Sequence, residues 1–243
     1  KVGGNIKYTS DKTIFSSSNI INKMNIIHSL DQKKIINKIK TKFKFEDIKK
    51  EIDEFRKLKV LIIGETIIDS YQFCESMGKS GKEPFLTMRE SKEEYYLGGA
   101  GAVANHVSSF SNSVTLLSML GEKKEFQGFV NKKMSNNIKK YFIYKKNSPT
   151  IVKKRIIEEM NNRKLLGVYN VNDEMLSKSN ESTFLSKIKK LIPKNDLIIV
   201  LDYGHGFINK KIAKTISRLS KFVSLNAQVN SSNVGYHNME KYN

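Results

Sequence analysis

Two uninterrupted apolar runs, Val60-Leu61-Ile62-Ile63 and Leu197-Ile198-Ile199-Val200-Leu201, constrain this chain more than any other feature. A short run that is apolar at every position suits a strand buried on both faces, the kind found in parallel sheets sandwiched between helices. The segments around them keep the same rhythm. Helix-compatible sequence from Ala100 to Ser109 leads to a strand at Val114 to Leu120, ended by Gly121, and then to a short helix around Glu125 to Met134. Strands are expected at Tyr141 to Tyr144, Ile151 to Ile157 and Leu165 to Val171, followed by a helix from Asp173 to Leu191 closed by Pro193. Lys210 to Ser220 reads as helix and Phe222 to Leu225 as strand. The expected fold is α/β, with three α/β/α layers around a mostly parallel sheet.

Shorter alternating segments at Tyr71 to Cys74, Phe85 to Arg89 and Glu94 to Leu97 flank the stretch Gly78-Lys79-Ser80-Gly81-Lys82. They predict a small sheet protruding from the main one over about 71–97. Upstream, Ile35, Ile36, Ile39, Phe43, Phe45, Ile48, Ile52 and Phe55 recur at near-helical spacing, with Asp31 as a candidate N-cap and Phe45-Glu46-Asp47 opening a second helix. Residues 26–56 are therefore expected to form a helical linker to a main domain at 57–243. Residues 1–25 are polar and loop-rich, with too little periodic apolar sequence for a core.

The 243 residues are 39% hydrophobic and 28% charged, and no apolar segment is long enough to span a bilayer, so nothing supports a membrane role. Cys74 is the single cysteine, which excludes an internal disulfide, and no secretory signal opens the sequence; a cytoplasmic location is the default. A net charge of +19 invites a nucleic-acid reading. Lysines are scattered through every segment, however, and arginine stands only at Arg56, Arg89, Arg155, Arg163 and Arg218. Few planar forks are left for base recognition, and no specific nucleic-acid partner is expected.

Candidate site residues cluster near expected strand ends. Gly98-Gly99 precedes an Ala-rich helical run, where a backbone without side chains can approach a polar ligand or simply make a tight turn. Asp69 lies just beyond the first core strand, where a carboxylate would accept hydrogen bonds from sugar hydroxyls or cap a turn. Asp202-Tyr203-Gly204-His205-Gly206 follows another core strand; His205, without an identifiable partner carboxylate, reads as a polar loop residue rather than a catalytic base. Lys153 and Arg155 share one face of a strand, spaced to hold a phosphate or to be solvated, with Lys154 opposite. Cys74 reads as a buried thiol, and no metal-ligating spacing occurs. No Walker loop, dinucleotide fingerprint or zinc signature is present.

The ordered set Val60 to Asp69, Lys79-Ser80-Gly81-Lys82-Glu83-Pro84, Gly98-Gly99-Ala100, Pro149 to Arg155 and Asp202 to Gly206 resembles the ribokinase-like, PfkB-type carbohydrate kinases, closest to the heptose-7-phosphate kinase branch. The resemblance runs from about Leu58 onward. It implies an α/β/α domain with a small β lid, homodimerisation through that lid, and transfer of the ATP γ-phosphoryl group to a sugar or sugar-phosphate hydroxyl with Mg2+. By the same resemblance, Asp69, Gly98 and Gly99 match sugar-binding positions. Lys153 and Arg155 match a substrate-contacting Lys-x-Arg strand, and Asp202 to Gly206 match an Asp-Tyr-Gly-Lys-Gly segment near the phosphate-transfer site, with His205 in place of lysine. Ala102 replaces a usual asparagine, and Asn226-Ala227-Gln228 stands where the heptose kinases have Asp-Pro-Lys. The family's Gly-Ala-Gly-Asp motif, which carries the catalytic base, is not found after Ser224. The expectation is thus the N-terminal part of a kinase domain, without a catalytic base and inactive alone; the alternative is a non-catalytic carbohydrate-binding or scaffolding relative. Phe15 to Asn22 resembles the last motif of cytidylyltransferase-like nucleotidyltransferases, which makes 1–25 the expected tail of such a domain.

Overall fold

The computed structural model describes residues 29–228 and 240–242. The nucleotidyltransferase-like tail expected at 1–25 lies outside them. The chain divides into two compact units, Lys1–Glu51 and Ile52–Asn243. Helices α1 (Leu30–Lys42) and α2 (Phe45–Glu54) occupy the linker region and bury no residue. Ser29 caps α1, in place of the expected Asp31, through a capping box with Gln32; Asp31 sits in the first turn, where its charge favours the helix N-terminus.

The second unit is built on one parallel sheet ordered β4-β3-β1-β7-β8, drawn from β1 (Lys59–Lys79), β3 (Ser113–Gly121), β4 (Ile138–Lys145), β7 (Leu197–Asp202) and β8 (Val223–Ala227). Consecutive residues of β1 face opposite cores. Leu61 and Ile63 pack with Phe184 and Ile188 of α5 (Lys178–Leu191) and with Ile212, Ala213 and Ile216 of α6 (Lys210–Leu219). Val60 and Ile62 pack with Ala100 and Ala104 of α3 (Gly99–Val107) and Val130 of α4 (Gln127–Lys133). Three α/β/α layers result, as the doubly apolar runs require.

Beyond Glu65, β1 leaves β3 and β7 and, from Ile67, pairs antiparallel with β2 (Leu86–Gly98) and parallel with β5 (Ile151–Glu158). β6 (Arg163–Asn170) closes a second sheet of order β2-β1-β5-β6, the lid. Two expectations need correction. The segments at Tyr71 to Cys74 and at Phe85 to Leu97 are not separate short strands but the far half of β1 and one long β2, because the strand that crosses the core simply continues into the lid. The helix expected from Asp173 begins only at Lys178, since Ser177 accepts the Asn180 N–H as N-cap, and Asp173 is left outside it.

Candidate functional site

β3 and β7 flank β1 and run parallel to it, with the chain stepping outward to β4 on one side and to β8 on the other, and the crevice where the core half of β1 ends beside the carboxyl end of β7 is where open α/β sheets place ligands. Gly64 is required there: a Cβ would overlap the Leu201 carbonyl oxygen of β7. The next residue, Glu65, is fully buried, and its two oxygens accept the N–H groups of Tyr203 (3.0 Å) and His205 (3.1 Å). Burial, and then the charge of Asp202, push its carboxyl up to about 7 against the lowering effect of those N–H donors. Asp202 ends β7, buried, with Oδ1 accepting the Gly204 N–H at 3.0 Å. Its Oδ2 accepts from Lys241 Nζ (3.1 Å) and the Tyr242 hydroxyl (3.3 Å). Burial foremost raises the Tyr242 phenol far above its ordinary range.

His205 is the best-fixed residue of this loop. Its N–H is held by Glu65, its carbonyl accepts Lys145 Nζ at 3.1 Å, and its Nδ1 lies 2.7 Å from Asp173 Oδ1. Reading it as a polar loop residue without a carboxylate is therefore corrected: the ring is buried and Asp173 is its partner. Burial lowers its basicity, the bond to Asp173 opposes this, and nearby Lys153 and Lys145 lower it further. Gly206, at φ +78°, permits the loop to touch the Glu174 carbonyl, which a Cβ would overlap. Phe207 then stacks on Phe184 of α5 with centroids 4.2 Å apart.

The lid contributes the other group. Asp69 belongs to β1 itself rather than to a turn beyond it, so it caps nothing; Arg155 Nη1 donates to its Oδ1 at 2.6 Å. Burial is the largest effect and works against the Arg155 charge, but that bond and the charge of Asp69 together outweigh it and raise the guanidinium further. Of the two cations expected on this face, Arg155 is thus ion-paired with Asp69. Lys153 forms no ion pair among the described residues, lies over the Tyr169 ring at 5.7 Å, and is lowered chiefly by burial. Lys154 points to the opposite face, paired with Glu93 at 2.9 Å, where Ser70 also bonds Glu93. Gly98 presses against Asp69, leaving no room for a Cβ beside Oδ2. Gly99 adopts φ +56° and bridges Thr66, with a Cβ excluded by the Glu65 carbonyl.

The two halves meet. The charges of Glu65 and Asp69 both add to burial in raising the Tyr203 phenol, and Lys153 acts on His205. Asp69 and Lys153 are thus close enough to act on the loop Asp202 to Gly206, and Gly99 packs on Glu65, whose carboxylate holds that loop. Asn226-Ala227-Gln228 ends β8 beside it, with the Gln228 N–H donating to the Asp202 carbonyl. Sequence reasoning missed Glu65, Lys145 and Asp173. A charged residue directly after a wholly apolar strand was the available signal for Glu65; Asp173 stands 32 residues from His205 and offered none. Cys74 is buried, as expected.

A parallel sheet flanked by helices, extended by a lid that one central strand feeds, defines a ribokinase-like α/β protein. Residues 57–219 match the model of the pfkB family of carbohydrate kinases, and the chain belongs to that family. It is 27% identical over 164 residues to the bifunctional protein HldE of Nitratiruptor sp., covering 68% of this chain and 35% of that protein. To the HldE protein of Helicobacter acinonychis it is 30% identical over 163 residues, covering 67% and 35%. The chain thus spans about a third of the length of these curated relatives. Among solved structures, a possible 1-phosphofructokinase from Thermotoga maritima superposes with a TM-score of 0.52 at 15% identity, covering 75% of this chain and 56% of that one. Phosphofructokinase-2 from Escherichia coli in complex with fructose-6-phosphate gives 0.51 at 11% identity, covering 69% and 54%. These two establish the fold.

Proposed function

We propose that this protein is a kinase module for a phosphorylated sugar, passing the ATP γ-phosphoryl group to a sugar hydroxyl in the synthesis of nucleotide-activated heptose or a related surface sugar. The supporting observation is that Asp69 and Lys153, on the lid beside Gly98 and Gly99, act on the loop Asp202 to Gly206, which Glu65 holds at the carboxyl end of β7. With Oδ1 held by Arg155, Asp69 presents Oδ2 to hydroxyl donors beside the Gly98–Gly99 backbone. Lys153, partly desolvated, supplies the charge for a substrate phosphate or for the oxygens of the transferring group. ATP and Mg2+ follow from the family reading; among the described residues no three His, Cys, Asp or Glu side chains gather to hold a metal. Asp202 is already engaged by Lys241, Tyr242 and Gly204, so it does not fit as a ready cation ligand, and no step is routed through one. The nucleotide's phosphates and water would hold most of a Mg2+ coordination shell.

The sequence of residues 1–243 holds no Gly-Ala-Gly-Asp motif. The proposal for this chain alone is accordingly sugar-phosphate binding with little turnover. Calorimetric titration with fructose 6-phosphate and with a mannoheptose 7-phosphate tests it: saturable binding is expected, weakened at least about tenfold in Asp69→Asn. No saturable binding of any sugar or sugar phosphate overturns the reading, and robust sugar-dependent ADP release overturns the part about turnover. A homodimer joined through the lid and a cytoplasmic location belong to the same proposal; no helix among the described residues is long and apolar enough to cross a membrane.

A further inference from the structure

On the lid face that carries Asp69, a hollow of about 510 Å3 is lined by Asp69, Tyr71, Phe73, Glu94, Tyr96 and others, a size ordinary for a small-molecule cleft. Tyr96 stands directly opposite Asp69 in the β1–β2 register, so their Cβ atoms are neighbours across the ladder. A ring whose hydroxyls bond Asp69 must therefore lie within reach of the Tyr96 ring. Tyr96 is 53% exposed, so it is open to a ligand from the hollow. It is also held still. Its hydroxyl donates to Glu94 Oε2 at 2.7 Å, and Glu94 Oε1 is fixed by Lys92 at 2.9 Å. Its ring meets Tyr71 edge-on at 5.6 Å and 82°, while the Arg155 guanidinium, anchored by Asp69, lies 5.4 Å from the Tyr71 centroid. One chain of contacts thus fixes the carboxylate and the aromatic wall together. Such preorganisation favours a ligand with a polar edge and an apolar face, which is the description of a sugar ring.

We propose that Tyr96, backed by Tyr71, is the shelf on which the C–H face of the sugar stacks while its hydroxyls bond Asp69, making Tyr96 a specificity-determining residue of this site. The inference rests on the sugar-phosphate reading above and adds the orientation of the ring within the cleft. Tyr96 is exposed, so its replacement leaves the fold intact. Fructose 6-phosphate and a mannoheptose 7-phosphate, titrated into the full chain and followed by proton NMR, supply the test. Wild type is expected to show upfield ring-current shifts of sugar C–H protons. Tyr96→Ala should lose those shifts and bind about tenfold more weakly, whereas Tyr96→Phe should keep both. Tight binding by Tyr96→Ala, with unchanged proton shifts, overturns the shelf and leaves the kinase reading standing. Failure of wild type to bind either sugar phosphate overturns both.

Discussion

Gly99 shows how little space single residues leave at this site. Its φ of +56° and the Glu65 carbonyl beside it make Gly99→Ala a strained substitution, expected to cost at least about 2 kcal/mol. A lowered urea midpoint at unchanged slope measures it. Glu65 gives the residue-scale pH dependence. Its carboxyl is raised from 4.5 to about 7, so the folded state holds a proton that the unfolded state releases. Its contribution is fully present below pH 4.5 and is lost as pH rises through about 7. Glu65→Gln should flatten that part of the stability profile, read from thermal midpoints between pH 5 and 8. A mutant profile as steep as wild type would reject Glu65 as its source. The glycines were legible because their chemistry is local: only glycine takes such turns cheaply. Asp69 was placed just beyond the first core strand, whereas it lies within β1. The network around His205 was hidden because Glu65, Lys145 and Asp173 come from three separate segments, and only the folded sheet brings them to the N–H, the carbonyl and the imidazole of one residue.

Among the elements, the loop after β7 owes its position to a stack: Phe207 on Phe184 of α5, both with no exposed surface. Phe207→Ala is expected to lower stability by about 3–5 kcal/mol, seen as a large fall in denaturation midpoint, and to loosen His205 with it. A change below 1 kcal/mol, about what a surface site gives, would mean that the stack does not anchor the loop. The core stretches of β1 and β7 were readable from their apolar runs, Val60 to Ile63 and Leu197 to Leu201, because burial on both faces favours an apolar side chain at every position. The lid strands were readable only in pieces. Where β1 passes from core to lid its pattern changes from continuous to alternating, which in sequence looks like one element ending and another beginning. The start of α5 was misplaced for a related reason: Asp173 and Ser177 are both good N-cap residues, and the choice between them was settled by the imidazole that Asp173 serves.

Taken whole, the molecule ends in an open lid edge. β6 is exposed along its length, with Leu165, Leu166, Val168 and Tyr169 all more than 40% accessible. An apolar edge strand of this kind invites pairing with another chain, which is the physical support for the proposed lid-to-lid dimer. Leu166→Lys combined with Val168→Lys should convert the dimer to monomer in sedimentation velocity. A wild-type monomer, or an unaffected dimer, would count against that arrangement. The +19 charge that dominates the composition contributed nothing to locating the candidate site, where Asp69 pairs with Arg155. At this scale β1 has a further role. Gly64 is pressed against β7, and the Ser118 hydroxyl donates to the Gly64 carbonyl while sharing a hydrogen bond with Thr66, so the core grips the strand until the residue where the lid takes hold. Along β1 the lid therefore has no slack joint to swing on: movement of the lid must flex this continuous ribbon at Thr66, like a leaf spring clamped at one end.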